Sequence, residues 1–267
     1  MTDGTGQRRH AFGDDADQYD AARPGYPAQL VDDVLDFAAP ADAPALEVGA
    51  GTGKATRAFA TRGMPVTCVE PDARMARVLR RTCAGTPGVA VEVADFETWD
   101  PGGRRYGLLY CAQAWHWVDP AVRWARARSA LRPGGALALF WNHWFLDDGQ
   151  LAHRLTAAHA RHGVEVPEHT LLDPRPRPAR RGFEARQWRE MEADGGFTDM
   201  DHRLYETEHE RPGCGIAELM ASYGGYRVMG KTVREPLLAD MARIAGDAGG
   251  GTVRVVSSLF LARTKSM

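Results

Sequence analysis

The stretch LEVGAGTGKAT, Leu46 to Thr56, decides how this chain folds. A short, mostly apolar run from Ala45 to Val48 stops at Gly49, Gly51 and Gly53, and KATRAFATRG carries on from Lys54 to Gly63. The first segment predicts a buried strand and the last a helix closed by Gly63. Glycine lets the turn between them take positive φ and lets a ligand approach backbone N–H groups that a Cβ would shield. A helix starting directly after the turn points its free N–H groups into it. A glycine-rich turn alone says little; its place between strand and helix gives it weight.

Outward from that stretch the alternation repeats. PVTCVE (Pro65 to Glu70) predicts a second strand. DARMARVLRRTC predicts a second helix, begun by Asp72 and burying Met75, Val78, Leu79 and Cys83. GVAVEVA, ending before Asp95, predicts a third strand, YGLLYCA a fourth and GALALFW (Gly135 to Trp141) a fifth, with a helix from Val122 to Leu131. On the other side, Leu30, Val31, Val34, Leu35 and Ala38 recur at helical spacing, so Pro27 to Ala39 predicts an amphipathic cap helix, followed by a Pro/Ala/Asp linker to Pro44. Strands separated by helices imply parallel pairing through right-handed crossovers, hence an α/β, doubly wound, mostly parallel Rossmann-like sheet.

After Trp141 the regularity loosens. Helices are expected at Gln150 to His162, Phe183 to Ala193, Ile216 to Tyr223 and Val233 to Ala245, and strands at Met200 to His209 and Thr252 to Thr264. Pro167 to Gly182, with DPRPRPARR, reads as an extended loop. The late helices read as an insertion before the last strand, placed to form a lid. The expected organisation is an N-terminal segment and cap helix (1–40), a cofactor-binding core (41–142), and acceptor-pocket and lid elements with the closing strands (143–267). The first dozen residues are expected to be mobile.

Acids stand where these strands end. Glu70 closes the second strand, nineteen residues past Gly51, where a carboxylate can accept from both hydroxyls of a ribose. Asp95 follows the third strand, placed to hold an adenine amino group, with Phe96 beside it to pack on the ring. The glycine spacing is G-x-G-x-G, not the G-x-G-x-x-G of dinucleotide folds, and Glu47 precedes it. An acid so close repels a pyrophosphate and favours a cation. That pattern selects S-adenosylmethionine, with its sulfonium and ammonium, over NAD.

Composition narrows the partners. The chain has 267 residues, a formal net charge of -2 and 44% hydrophobic residues, so no global basic field draws it to nucleic acid or to an acidic membrane. No apolar run is long enough to span a bilayer, and the polar N-terminus shows no secretory h-region. Cys68, Cys83, Cys111 and Cys214 form no C-x-x-C pair, as expected for free thiols in a cytoplasmic protein. Lysine occurs only at Lys54, Lys231 and Lys265, the rest of the basic charge being arginine; with much Ala, Gly and Pro this suits a GC-rich genome and tilts the expectation toward specialised bacterial metabolism. His153, His159 and His162 share a helix without Cys or carboxylate at ligand spacing, so a solvated face is expected and no metal site.

With these residues in place, the chain resembles the class I S-adenosylmethionine-dependent methyltransferases, and within them the small-molecule subgroup that includes trans-aconitate methyltransferase. The resemblance rests on FGDDADQYDAARPGYP (Phe12 to Pro27), LEVGAGTGKAT, VEPDARM (Val69 to Met75), ADFETW (Ala94 to Trp99), AQAWHWVDP (Ala112 to Pro120) and LRPGGALALFWN (Leu131 to Asn142). It implies a seven-stranded sheet with its last strand antiparallel, and a cofactor site drawn from Glu47, Gly49, Gly51, Gly53, Glu70, Pro71, Met75, Asp95, Phe96 and Gln113. It further implies that Tyr19 and Arg23 close over the methionine end, Arg23 facing its carboxylate. The sequence departs from the pattern at Gly107, where relatives usually have Asp, and at MASYGGYRVMG (Met220 to Gly230), so trans-aconitate is not carried over as the acceptor.

Methyl transfer is an in-line displacement at carbon that mainly requires alignment and exclusion of water. A base is needed only for a protonated nucleophile. His116, between Trp115 and Trp117, is one candidate and reads equally as a residue that only hydrogen-bonds and packs; His143 is a second, for which the plain reading as a loop histidine is favoured. Tyr26, Trp141, Tyr223 and Tyr226 are candidates for an aromatic acceptor pocket or for plain packing. The expected reaction is O- or C-methylation of a small molecule, with no nucleic acid or membrane partner. The rival readings are an RNA or protein methyltransferase and a cofactor-binding scaffold or cyclase that transfers no methyl group.

Overall fold

The computed structural model describes residues 16–38, 43–172 and 183–265. Its elements are α1 (Ala16–Ala22), α2 (Ala28–Ala38), β1 (Ala45–Val48), α3 (Lys54–Ala60), β2 (Val66–Val69), α4 (Ala73–Thr82), β3 (Val89–Glu92), β4 (Tyr106–Ala112), a 3-10 turn (Trp115–Trp117), α5 (Arg123–Ala130), β5 (Leu131–Leu146), α6 (Gly149–Arg161), α7 (Phe183–Asp194), β6 (Phe197–Arg211), α8 (Gly213–Ala221), α9 (Gly224–Arg227), α10 (Lys231–Asp247) and β7 (Gly251–Thr264). The strands form one seven-stranded sheet in the order β3-β2-β1-β4-β5-β7-β6. β1 runs parallel to β2 on one side and to β4 on the other, β2 is parallel to β3, and β4 to β5. The chain steps outward from β1 to β3 and then crosses back to β4, so the strand order reverses beside β1. Ligands in doubly wound sheets bind at that switch point, beyond the carboxyl ends of the strands.

Residue chemistry explains these elements. β1, β2 and β4 are buried along their whole length, as central parallel strands covered on both faces must be. α4 begins at Asp72, whose side chain accepts the Arg74 N–H at 2.9 Å, and it buries Met75, Val78 and Leu79 as its sequence predicts. β6 stands at the edge of the sheet, and its DMDHRLYETEHER run lines an otherwise pairable edge with charge.

Several elements differ from the sequence expectation. β5 extends well beyond Gly135 to Trp141 at both ends, because the ladder continues through polar and glycine residues that break the apolar run. α1, the 3-10 turn and α9 were not legible; they are too short to show a helical period. His159 is not on a solvated face: it is buried, its Nε2 lies 2.7 Å from the Tyr226 hydroxyl and its Nδ1 2.8 Å from the Leu155 carbonyl. The N-terminal dozen, most of the linker after α2 and the proline-arginine run of residues 173–181 lie outside the described residues.

The described chain forms two compact units. The core unit comprises residues 25–38, 43–142, 183–205 and 257–265. Alternate residues of its strands feed two apolar layers. One contains Leu46, Val48, Trp115, Trp124, Trp141, Trp188 and Phe260. The other joins Leu30, Val31 and Val34 of α2 to Phe59, Tyr110 and Phe140. Each such side chain, fully buried, contributes about 1.5–3 kcal/mol. The second unit comprises residues 16–24, 143–172 and 206–256, and packs α6, α8 and α10 around Trp144, Leu155, Leu219, Met241 and Val253.

Candidate cofactor and active site

The core unit assembles most of the expected site at the tips of β1, β2, β3 and β4. Gly49, Gly51 and Gly53 have φ of 69, 58 and 89°, the left-handed region glycine tolerates. Their surroundings differ. A Cβ on Gly49 would meet the Ala114 Cβ at 2.5 Å and one on Gly53 the Leu79 Cδ1 at 2.4 Å, whereas among the described residues nothing lies within 4 Å of the corresponding point at Gly51. Gly49 and Gly53 permit close packing; Gly51 lines an open cradle.

The amides of this turn are already engaged. Gly49 N–H donates to the Val69 carbonyl at 2.8 Å, Gly53 N–H to the Ala50 carbonyl at 3.0 Å, and Gly51 N–H to Glu70 Oε2 at 2.8 Å. Glu70 Oε1 accepts the Asp72 N–H at 2.9 Å. The carboxylate thus ties the turn to the tip of β2. An anion-binding nest needs amides that point at the ligand. Here three turn amides serve the protein, and a buried acid stands beside them.

Glu47 lies behind the turn. It is buried in β1, where its Oε2 accepts from the Thr56 hydroxyl at 2.5 Å and from the Tyr110 hydroxyl at 2.9 Å, with the Cys68 Sγ at 3.8 Å. Burial lifts its carboxyl from 4.5 to about 7, against the lowering effect of those hydrogen bonds. Burial thus works against the negative charge at Glu47. Its geometry makes it the anchor that fixes α3, through Thr56, to β1 and β4.

The other expected residues lie along the same strand tips. Asp95 is exposed beyond β3, while Phe96 is buried, its ring 6.1 Å from Trp115 in the core layer. Pro71 is half-buried beside the Asp72 cap, and Met75 is buried in α4. Gln113 holds a left-handed backbone, φ 63°, at the end of β4. For a non-glycine residue that costs about 1–2 kcal/mol. Its N–H donates to the Phe140 carbonyl at 2.9 Å and its Nε2 to the Asn142 carbonyl at 3.1 Å. His116 is half-buried in the 3-10 turn, 4.7 Å from the Trp117 ring, while Trp115 is fully buried.

The sequence reading missed Asn142. Its Nδ2 donates to the Gly25 carbonyl at 3.0 Å and its Oδ1 accepts from the Ser257 hydroxyl at 2.7 Å. The available signal was an amide immediately after the apolar run GALALFW. Gly107, the departure in β4, leaves room that the Arg132 guanidinium takes, 2.7 Å from where a Cβ would sit.

Tyr19, Arg23 and His143 belong to the second unit. There the Arg23 guanidinium lies over Tyr19, Trp144 and Tyr223, at 5.0, 4.6 and 5.0 Å from the ring centres. It also donates to the Ser222 hydroxyl at 3.1 Å and the Ser222 carbonyl at 3.2 Å. His143 is half-buried in β5. Of the four aromatic residues considered for an acceptor pocket, Tyr26 and Trp141 belong to the core unit and Tyr223 and Tyr226 to the second. Tyr26 packs on Phe140, Trp141 on Phe260, Tyr223 on Trp144, and Tyr226 on His159.

The doubly wound sheet thus carries a strand–glycine turn–helix at its switch point, with an acid at the tip of the next strand, the place where such sheets bind their ligands. Residues 45–135 match the methyltransferase domain family. An uncharacterised methyltransferase of Mycobacterium bovis is 38% identical over 132 residues, covering 49% of this chain and 52% of the relative. An uncharacterised methyltransferase-like protein of Schizosaccharomyces pombe is 33% identical over 138 residues, covering 49% and 51%. The chain thus spans about half the length of the curated relatives it matches. Among solved structures, a proposed type II methyltransferase from Anaeromyxobacter dehalogenans superposes with a TM-score of 0.59 at 21% identity, over 91% of this chain and 97% of that one. At that identity the likeness concerns the fold.

Proposed function

We propose that this chain binds S-adenosylmethionine and transfers its methyl group to a small-molecule acceptor, with oxygen or carbon as the nucleophile. The observation that carries the reading is the state of the glycine turn. Gly51 lines an open cradle while its own amide is held by Glu70, so the turn offers room without offering donors for a pyrophosphate. A phosphate-free nucleoside suits that arrangement, and a dinucleotide does not.

In this reading Glu70 receives the ribose hydroxyls, Asp95 the adenine amino group, and Gly51 and Gln113 border the methionine moiety. The bound cofactor supplies an electrophilic methyl on a sulfonium leaving group. The chain's own contribution is alignment and exclusion of water. Asn142 holds Gln113 in place through its carbonyl, and the strained backbone of Gln113 marks a position fixed by its surroundings. In the same reading His116 is the base that takes a proton from a hydroxyl or carbon acid.

Calorimetry with S-adenosylhomocysteine and with NADH tests this directly: binding is expected for the first alone. Glu70→Ala is expected to weaken S-adenosylhomocysteine binding at least tenfold. Tight NADH binding, or a Glu70→Ala chain of unchanged affinity, overturns the reading.

A further inference from the structure

One buried polar group in the core unit is used by nothing described above. Gln187, on α7, is fully buried, and among the described residues neither its Oε1 nor its Nε2 has a hydrogen-bond partner. A buried amide without partners is costly, and native proteins rarely keep one without a use. The indole Nε1 of fully buried Trp115 is in the same condition.

The neighbours of α7 locate Gln187. Glu190 pairs with Arg123 at the start of α5, and Asp194 pairs with Arg128 in its last turn. The two helices therefore lie side by side and run in the same direction. α5 begins just after the chain leaves the carboxyl end of β4 through Trp115–Trp117. Gln187 lies one turn before Glu190, roughly 4.5 Å further toward that end along the axis. The adjacent Trp188 ring is 5.3 Å from Phe260, which is 5.7 Å from Trp141, the residue before Asn142. Gln187 thus lies on the part of α7 toward the carboxyl end of β4, next in the chain to Trp188 of the apolar layer.

We propose that Gln187 recognises the methyl acceptor, and that the acceptor is an uncharged, largely apolar molecule bearing a hydroxyl or enol. An amide presents an acceptor and two donors side by side. Its complement is a group that both donates and accepts, which a hydroxyl does and a carboxylate or ammonium does not. The inference rests on the methyl-transfer reading above and deepens it.

The test uses the full chain and its Gln187→Met variant, which keeps the volume and removes the amide. The variant is expected to melt roughly 2–4 °C higher, since an unpaired buried group is gone. Its affinity for S-adenosylhomocysteine, measured by calorimetry, is expected to match that of the original chain. Phenols, enols and matched carboxylates and amines are then compared as acceptors of labelled methyl. The hydroxyl-bearing set is expected to be turned over, with KM raised at least tenfold in the variant and kcat less affected. A lower melting temperature would show the amide to be a structural partner and overturn the proposal alone. So would an unchanged KM, or preference for the charged acceptors. A parent chain that fails to bind S-adenosylhomocysteine would instead remove the reaction itself, and this assignment with it.

Discussion

Replacing Glu47 by glutamine probes how the site is held. In the folded chain burial raises the carboxyl from 4.5 to about 7. A raised carboxyl means that folding takes up a proton. Below the unfolded value both states are protonated, and the associated stability is fully present; it is lost as the pH rises through the folded value. At roughly 1.4 kcal/mol per tenfold change in proton affinity, this shift corresponds to about 3 kcal/mol. The Glu47→Gln side chain cannot ionise and keeps an oxygen for Thr56 and Tyr110, so the variant lacks this dependence. Urea denaturation of both chains, from about pH 4 to about pH 8, should show the original chain losing about 3 kcal/mol relative to the variant. Groups common to both chains cancel in that difference. His159 is one of them: burial lowers its affinity for a proton, so its contribution is lost as the pH falls. A difference that stays constant with pH, or that grows in favour of the original chain as pH rises, refutes the assignment of Glu47 as a buried, proton-binding anchor.

Three further outcomes follow from the geometry. Gly49→Ala places a Cβ 2.5 Å from the Ala114 Cβ at a left-handed position, so urea unfolding should show a loss of at least about 2 kcal/mol. His116→Ala should slow methyl transfer about a hundredfold to a protonated acceptor, with calorimetric affinity for S-adenosylhomocysteine unchanged; normal turnover would leave His116 a packing role. Tyr226→Phe strips the buried His159 of its Nε2 partner and should lower stability by about 1–3 kcal/mol in a thermal or urea melt, whereas an unchanged melt would show that hydrogen bond to be replaceable.

The sequence by itself determined the sheet and the glycine turn. These depend on local patterns: apolar runs of strand length, an Asp before a helix, and glycines where a strand becomes a helix. The nineteen-residue separation of Gly51 and Glu70 was legible for the same reason, since one strand–helix–strand unit brings them together; the 2.8 Å hydrogen bond between them realises it. Tertiary structure decided what each group does once placed. Glu47 and Glu70 are both acids beside the turn, but one is sealed behind it and the other grips its amide. His159 and Gln187 have helical spacing like any surface residue, yet both are buried. Burial and partnership arise from elements far apart in the chain, such as Asn142 with Ser257. No local period encodes which distant side chain will meet a polar group, so its proton affinity and its role emerge only when the elements pack.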